Sequence, residues 1–110
     1  GGALPDAVFA SNDSMAVGAL SAFREAGVAV PEDVALAGFD DIPIARFLTP
    51  PLTTVHVPIA ELGTRAMDRL VDRLEGGPRG RATREAGREV LKTELIVRTS
   101  CGAHLLKSRG

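Results

Sequence analysis

The feature that most restricts the fold is a pair of short apolar runs, each closed by polar or acidic side chains and separated by one helix-length segment. Ala7-Val8-Phe9-Ala10 ends in Ser11-Asn12-Asp13-Ser14, and Val34-Ala35-Leu36-Ala37-Gly38-Phe39 ends in Asp40-Asp41. Continuous apolar runs of this length, without polar alternation, suit strands buried on both faces. Between them Met15, Ala16, Ala19, Leu20 and Phe23 recur at helical spacing, and Gly27 supplies the left-handed residue that stops a helix. Val30-Pro31-Glu32-Asp33 reads as a turn into the second run. A strand, a helix and a strand within about 40 residues form a parallel βαβ unit, whose right-handed crossover puts both strand ends on one edge of the sheet. Asn12 and Asp40 are therefore expected to be near neighbours.

Downstream, Ile42 to Phe47 fits a short helical turn, and Pro50-Pro51 forces an extended connection. Leu52 to Val57 is rich in β-branched residues and reads as a third strand. Pro58 suits the first turn of a second helix that carries Ile59, Leu62, Ala66, Leu70 and Leu74 on one face and a Glu61/Arg65 pair on its surface. That helix ends at Gly76-Gly77-Pro78, and the Gly- and Arg-rich stretch to Gly87 reads as an exposed loop. Glu89 to Thr99 alternates imperfectly, as a strand at a sheet edge would, and the tail from Gly102 is expected to fray. The fold class is α/β, with a parallel sheet, flanking helices and a late strand at an edge.

Composition narrows the functions. The chain has 110 residues, 45% of them apolar, enough for a real core. A formal net charge of −1 gives no overall attraction to a phosphate backbone or an anionic membrane. No run approaches the roughly 18 apolar residues of a membrane span, and the opening Gly-Gly-Ala-Leu-Pro lacks the basic and apolar regions of a signal peptide. One cysteine, Cys101, makes neither an internal disulfide nor a metal cluster, in keeping with a reducing cytoplasm. His56 has no second metal ligand at suitable spacing and His104 lies in the tail, so both read as structural or solvated and no metal is assigned. Ser11 and Ser14 lack a base or a nucleophile-elbow motif, and Asp40-Asp41 lacks the well-placed lysine of a phospho-acceptor site, the only lysines being Lys92 and Lys107. The reading is of no catalytic residue, no cofactor and no enzyme.

Three segments carry a resemblance. Phe9-Ala-Ser-Asn-Asp-Ser-Met-Ala-Val-Gly-Ala-Leu, then Val30-Pro-Glu-Asp-Val-Ala-Leu-Ala-Gly-Phe-Asp-Asp, then Thr49-Pro-Pro-Leu-Thr-Thr-Val, resemble in order and spacing the C-terminal half of the effector-binding domain of LacI/GalR-type transcriptional regulators. The match covers residues 5 to 99. It implies part of a periplasmic-binding-protein-like, Rossmann-like domain whose two subdomains hold the effector between them. Residues 1–51 would belong to the C-terminal subdomain, and 52–99 would supply a crossover strand, a helix and the last strand. The family's DNA-binding headpiece is absent from these segments, so DNA would be reached only through that headpiece. The implied function is small-molecule sensing and dimerisation in a cytoplasmic repressor, the effector being a sugar or nucleoside-like. A solute-binding protein for sugar uptake shares the fold and is the alternative.

A hydroxyl-rich ligand needs short, rigid side chains that donate and accept hydrogen bonds, and open α/β sheets bind ligands beyond the carboxyl ends of their strands. By resemblance, Asn12 and Asp40 are the ligand-binding positions. Helix capping is the competing role, favoured here for Asp13 and set below ligand contact for Asn12, while Asp41 reads as a cap or surface residue. Phe39 reads as core. The family's subunit interface implies a dimer contact through Val17, Leu20 and Leu48. A second helix that docks on a subdomain outside this chain must be covered by a dimer, or else the cleft is incomplete.

Overall fold

In a computed structural model, which describes residues 3–76 and 88–109, the chain divides into two compact units, 1–57 with 94–110 and 58–93. The loop expected from Gly76 to Gly87 lies, beyond its first residue, outside the described residues.

The first unit opens with the expected βαβ element. Strand β1 (Ala7–Phe9) leads into helix α1 (Asp13–Glu25), and strand β2 (Ala35–Ala37) returns parallel to β1 with Val8 opposite Leu36. Helix α1 buries Ala16 and Leu20, four residues apart and so on one face. It ends before Gly27, which adopts φ 74°, a conformation that only glycine reaches without a steric cost. A 3-10 turn (Pro43–Phe47) then precedes strand β3 (Thr54–His56). The amides of Gly38 and Asp40 donate to the carbonyls of Thr53 and Val55 at 2.9 Å each, which lays β3 parallel beside β2 on the side away from β1. Strand β4 (Glu94–Ile96) pairs antiparallel with β3, with Thr54 opposite Ile96. The late strand thus lies at an edge, as expected, but it is shorter than the expected Glu89–Thr99. The first unit extends past Pro51 to take in both β3 and β4.

Ala10, Ala16, Leu20, Leu36, Ala45 and Leu52 form the core, with Val34 also fully buried. Its small size follows from short strands and many alanines. Two expectations are corrected here. Leu20, assigned to a dimer contact, is 6% exposed and packs into this core, because the apolar stripe of α1 faces the sheet. Over its described residues the tail, expected to fray, is helical: helix α3 (Ala103–Arg109) follows Gly102, whose amide donates to the Thr99 carbonyl.

The second unit is built on helix α2 (Ile59–Glu75), closed by Gly76 at φ 65°. Arg65 pairs with Glu61 at 3.0 Å, the expected i,i+4 bridge, and also with Glu89. None of its residues is buried, and Ile59, Leu62, Leu70 and Leu74 of the predicted stripe stand exposed. Across the described residues of both units, no helix is long and apolar enough to cross a membrane.

Candidate functional site

The carboxyl ends of β1 and β2 are tied together by backbone bonds. Ala10 N–H donates to the Ala37 carbonyl at 2.8 Å, and Asp13 N–H to that of Phe39 at 3.0 Å. The residues flanking this last bond are Asn12 and Asp40, so the two predicted ligand positions occupy adjoining strand ends. Asn12 is extended, and its Oδ1 accepts from Met15 N–H at 2.8 Å, closing the first turn of α1. Its amide nitrogen keeps its hydrogen-bond capacity among the described residues. Asp40 adopts φ 121°, and its backbone amide is committed to Val55. No hydrogen bond or ion pair from a described residue reaches its carboxylate. Among the described residues, the Asn12 amide nitrogen and the Asp40 carboxylate thus have no hydrogen-bond partner, and the two residues stand at adjoining strand ends.

Two further acids fix this edge from behind. Asp13 is fully buried, with Oδ1 accepting from the Thr54 hydroxyl at 2.7 Å and Oδ2 from Ile42 N–H at 2.9 Å. A Cβ on Gly38 would overlap that Oδ1, so glycine at 38 makes room for the carboxylate. Asp41, at φ 58°, is mostly buried, its side chain 12% exposed. Its Oδ1 accepts from Arg98 Nη1 at 2.9 Å and its Oδ2 from His56 Nδ1 at 2.9 Å, while its amide donates to Thr54 Oγ1 at 3.3 Å. An ionised carboxylate only accepts, so Nδ1 of His56 carries the proton. Burial alone would raise the Asp41 carboxyl. The hydrogen bonds from Arg98 and then His56, with the charges behind them, outweigh it and hold the group below the ordinary carboxylate range. Arg98 Nη1 also donates to the Leu52 carbonyl at 3.0 Å, anchoring the guanidinium to the start of β3.

Comparison with known proteins then decides the family. The model of the periplasmic binding protein-like domain matches residues 1–101. The lactose operon repressor of Rhizobium radiobacter is 46% identical over 97 residues, covering 87% of this chain and 80% of that protein. The chain belongs to the LacI-type periplasmic-binding-protein-like family. The repressor PurR of Pasteurella multocida is 43% identical over 102 residues, which are 93% of this chain but 29% of that protein. Among solved structures, a LacI family transcriptional regulator from Enterococcus faecium with bound ribose superposes with a TM-score of 0.70 at 32% identity, covering 86% of this chain and 34% of its own. The LacI-type chain thus spans about a third of the length of these last two relatives, which are a transcriptional repressor and a transcriptional regulator.

Within this LacI-type domain, the role expected of Asp13 falls to its neighbour. The helix cap is Asn12, and Asp13, expected to cap, is instead a buried hub, because its carboxylate is turned to Thr54 and Ile42. Asp41, expected at a cap or the surface, is an interior ion-pair partner. Val17 and Leu48 are half-buried, and Leu48 packs on the core. Phe39, expected in the core, is half-buried at the end of β2. His56, expected as structural or solvated, is half-exposed and bound to Asp41. Sequence reasoning missed Arg98. A basic residue closing the apolar run Leu95-Ile96-Val97 was the available signal, since such a charge seeks an acid when strand packing covers it.

Proposed function

We propose that this chain is part of the effector-sensing domain of a cytoplasmic transcriptional repressor, with Asn12 and Asp40 taking the hydroxyl groups of a sugar or nucleoside-like effector. The observation that carries this is the contrast between neighbouring acids: Asp41 is fully engaged by the protein, whereas the carboxylate of Asp40, a residue at the strand end adjoining Asn12, has no partner among the described residues. An acid without a partner at the carboxyl edge of an α/β sheet is the arrangement that receives a ligand donor. The effector leaves unchanged. It acts by binding two conformations of the parent repressor with different affinity, and DNA is reached through a separate headpiece. The parent works as a homodimer, with Val17 and Leu48 contributing to the contact. The repressor relatives favour this reading over a transport protein.

Calorimetric titration with D-ribose, cellobiose and inosine tests the site. Binding by the wild type that Asp40→Ala abolishes, with an unchanged circular dichroism spectrum, is the expected result. Equal affinity in the variant would remove Asp40 from the site.

A further inference from the structure

We infer that Arg98 is a positioning residue for Asp40, acting through Asp41; the inference rests on the reading of Asp40 as the effector acid. Asp40 and Asp41 are consecutive residues at φ 121° and 58°, the two positive-φ positions among the described residues that are not glycine. Side chains rarely adopt this backbone, and it persists only where the surroundings over-determine it.

Here the restraints fall on one side of the pair. The Asp41 side chain and amide are held at three points, by Arg98, His56 and the Thr54 hydroxyl, while among the described residues Asp40 is held through its backbone, by its amide and the bridge to His56, and not through its side chain. The Asp40 side chain is left free because its neighbour takes the strain-bearing contacts. Of the two side chains on Asp41, His56 is 48% exposed, whereas Arg98 is 16% exposed and fixed a second time by the Leu52 carbonyl. The guanidinium is the stiffer anchor, and its charge-assisted bond is the stronger kind. Arg98 lies 57 residues from Asp41 in sequence, so the last strand segment closes a site that the βαβ unit only begins.

The test is amide hydrogen exchange followed by NMR on the 110-residue chain, in wild type, Arg98→Met, Arg98→Lys, Asp41→Asn and the double variant Arg98→Met/Asp41→Asn. Arg98→Met should speed exchange of the Asp40 amide about tenfold, the equivalent of one charge-assisted hydrogen bond, while Ala16 and Leu20 keep their protection. Asp41→Asn should do the same, the double variant should add nothing, and Arg98→Lys should restore part of the protection. An unmoved Asp40 amide, or a loss spread equally over Ala16 and Leu20, would overturn the inference. So would an effect of Arg98→Met that Asp41→Asn does not share, since Arg98 would then act through Leu52. Chemical-shift titration of the wild type and of Asp40→Ala with D-ribose separates the two claims: a ribose response that ignores Asp40→Ala defeats the effector reading, whereas the exchange pattern decides the positioning role.

Discussion

The Thr54 hydroxyl donates to Asp13 Oδ1 at 2.7 Å, and both residues are completely buried. This bond joins the first turn of α1 to β3, across 41 residues of sequence, behind the free edge where Asn12 and Asp40 stand. Asp13→Ala would leave the Thr54 hydroxyl and the Ile42 amide without an acceptor, each costing about 1–3 kcal/mol when buried. Urea denaturation should show a loss of about 2–4 kcal/mol. Asp13→Asn retains one acceptor oxygen and should lose less.

The same carboxylate sets the requirement at position 38. Gly38→Ala places a methyl against Asp13 Oδ1 and 3.2 Å from Leu52 Cδ2. Overpacking of this kind costs about 1–3 kcal/mol. Because the clash is with Asp13 itself, the two substitutions share one cause, and the double variant Gly38→Ala/Asp13→Ala should be less destabilised than the sum of the singles. Simple additivity in a double-mutant cycle would disprove the shared cause.

Acid stability follows from Asp41. Its folded pKa lies below the unfolded value, so its contribution is fully present above the unfolded pKa, near 3.9, and is lost as pH falls through the folded one. Stability measured from pH 6 downward should therefore fall more steeply in wild type than in Asp41→Asn, the difference developing below about pH 4. Parallel curves would show that Asp41 carries no linked stability.

Much of this architecture was legible in the sequence because its signals are local. Gly27, Gly76 and the apolar spacing of α1 and α2 act within a few residues, and the βαβ handedness rule then brings Asn12 beside Asp40 without further information. The roles of Asp13, Asp41 and Arg98 depend on partners 13 to 57 residues away, and no local pattern distinguishes a capping aspartate from one turned inward. Leu20 was misplaced for a related reason. Spacing identifies the apolar stripe of a helix but not which of its residues the sheet covers.

Asn12 combines two duties that substitution can separate. As N-cap it contributes about 1 kcal/mol through Oδ1, and as an edge residue it offers an amide donor. Asn12→Ala should lose both, lowering stability by about 1 kcal/mol. Asn12→Asp keeps the cap oxygen and places an anion near the positive end of the α1 dipole, so its stability should match or exceed wild type, while the amide donor is gone. Thermal melts and D-ribose titrations on the three proteins check this. A variant that melts like wild type yet has lost ribose binding would assign Asn12 to the effector. Ribose affinity tracking stability alone across the three would reduce Asn12 to a helix cap and leave Asp40 as the single polar contact on this edge.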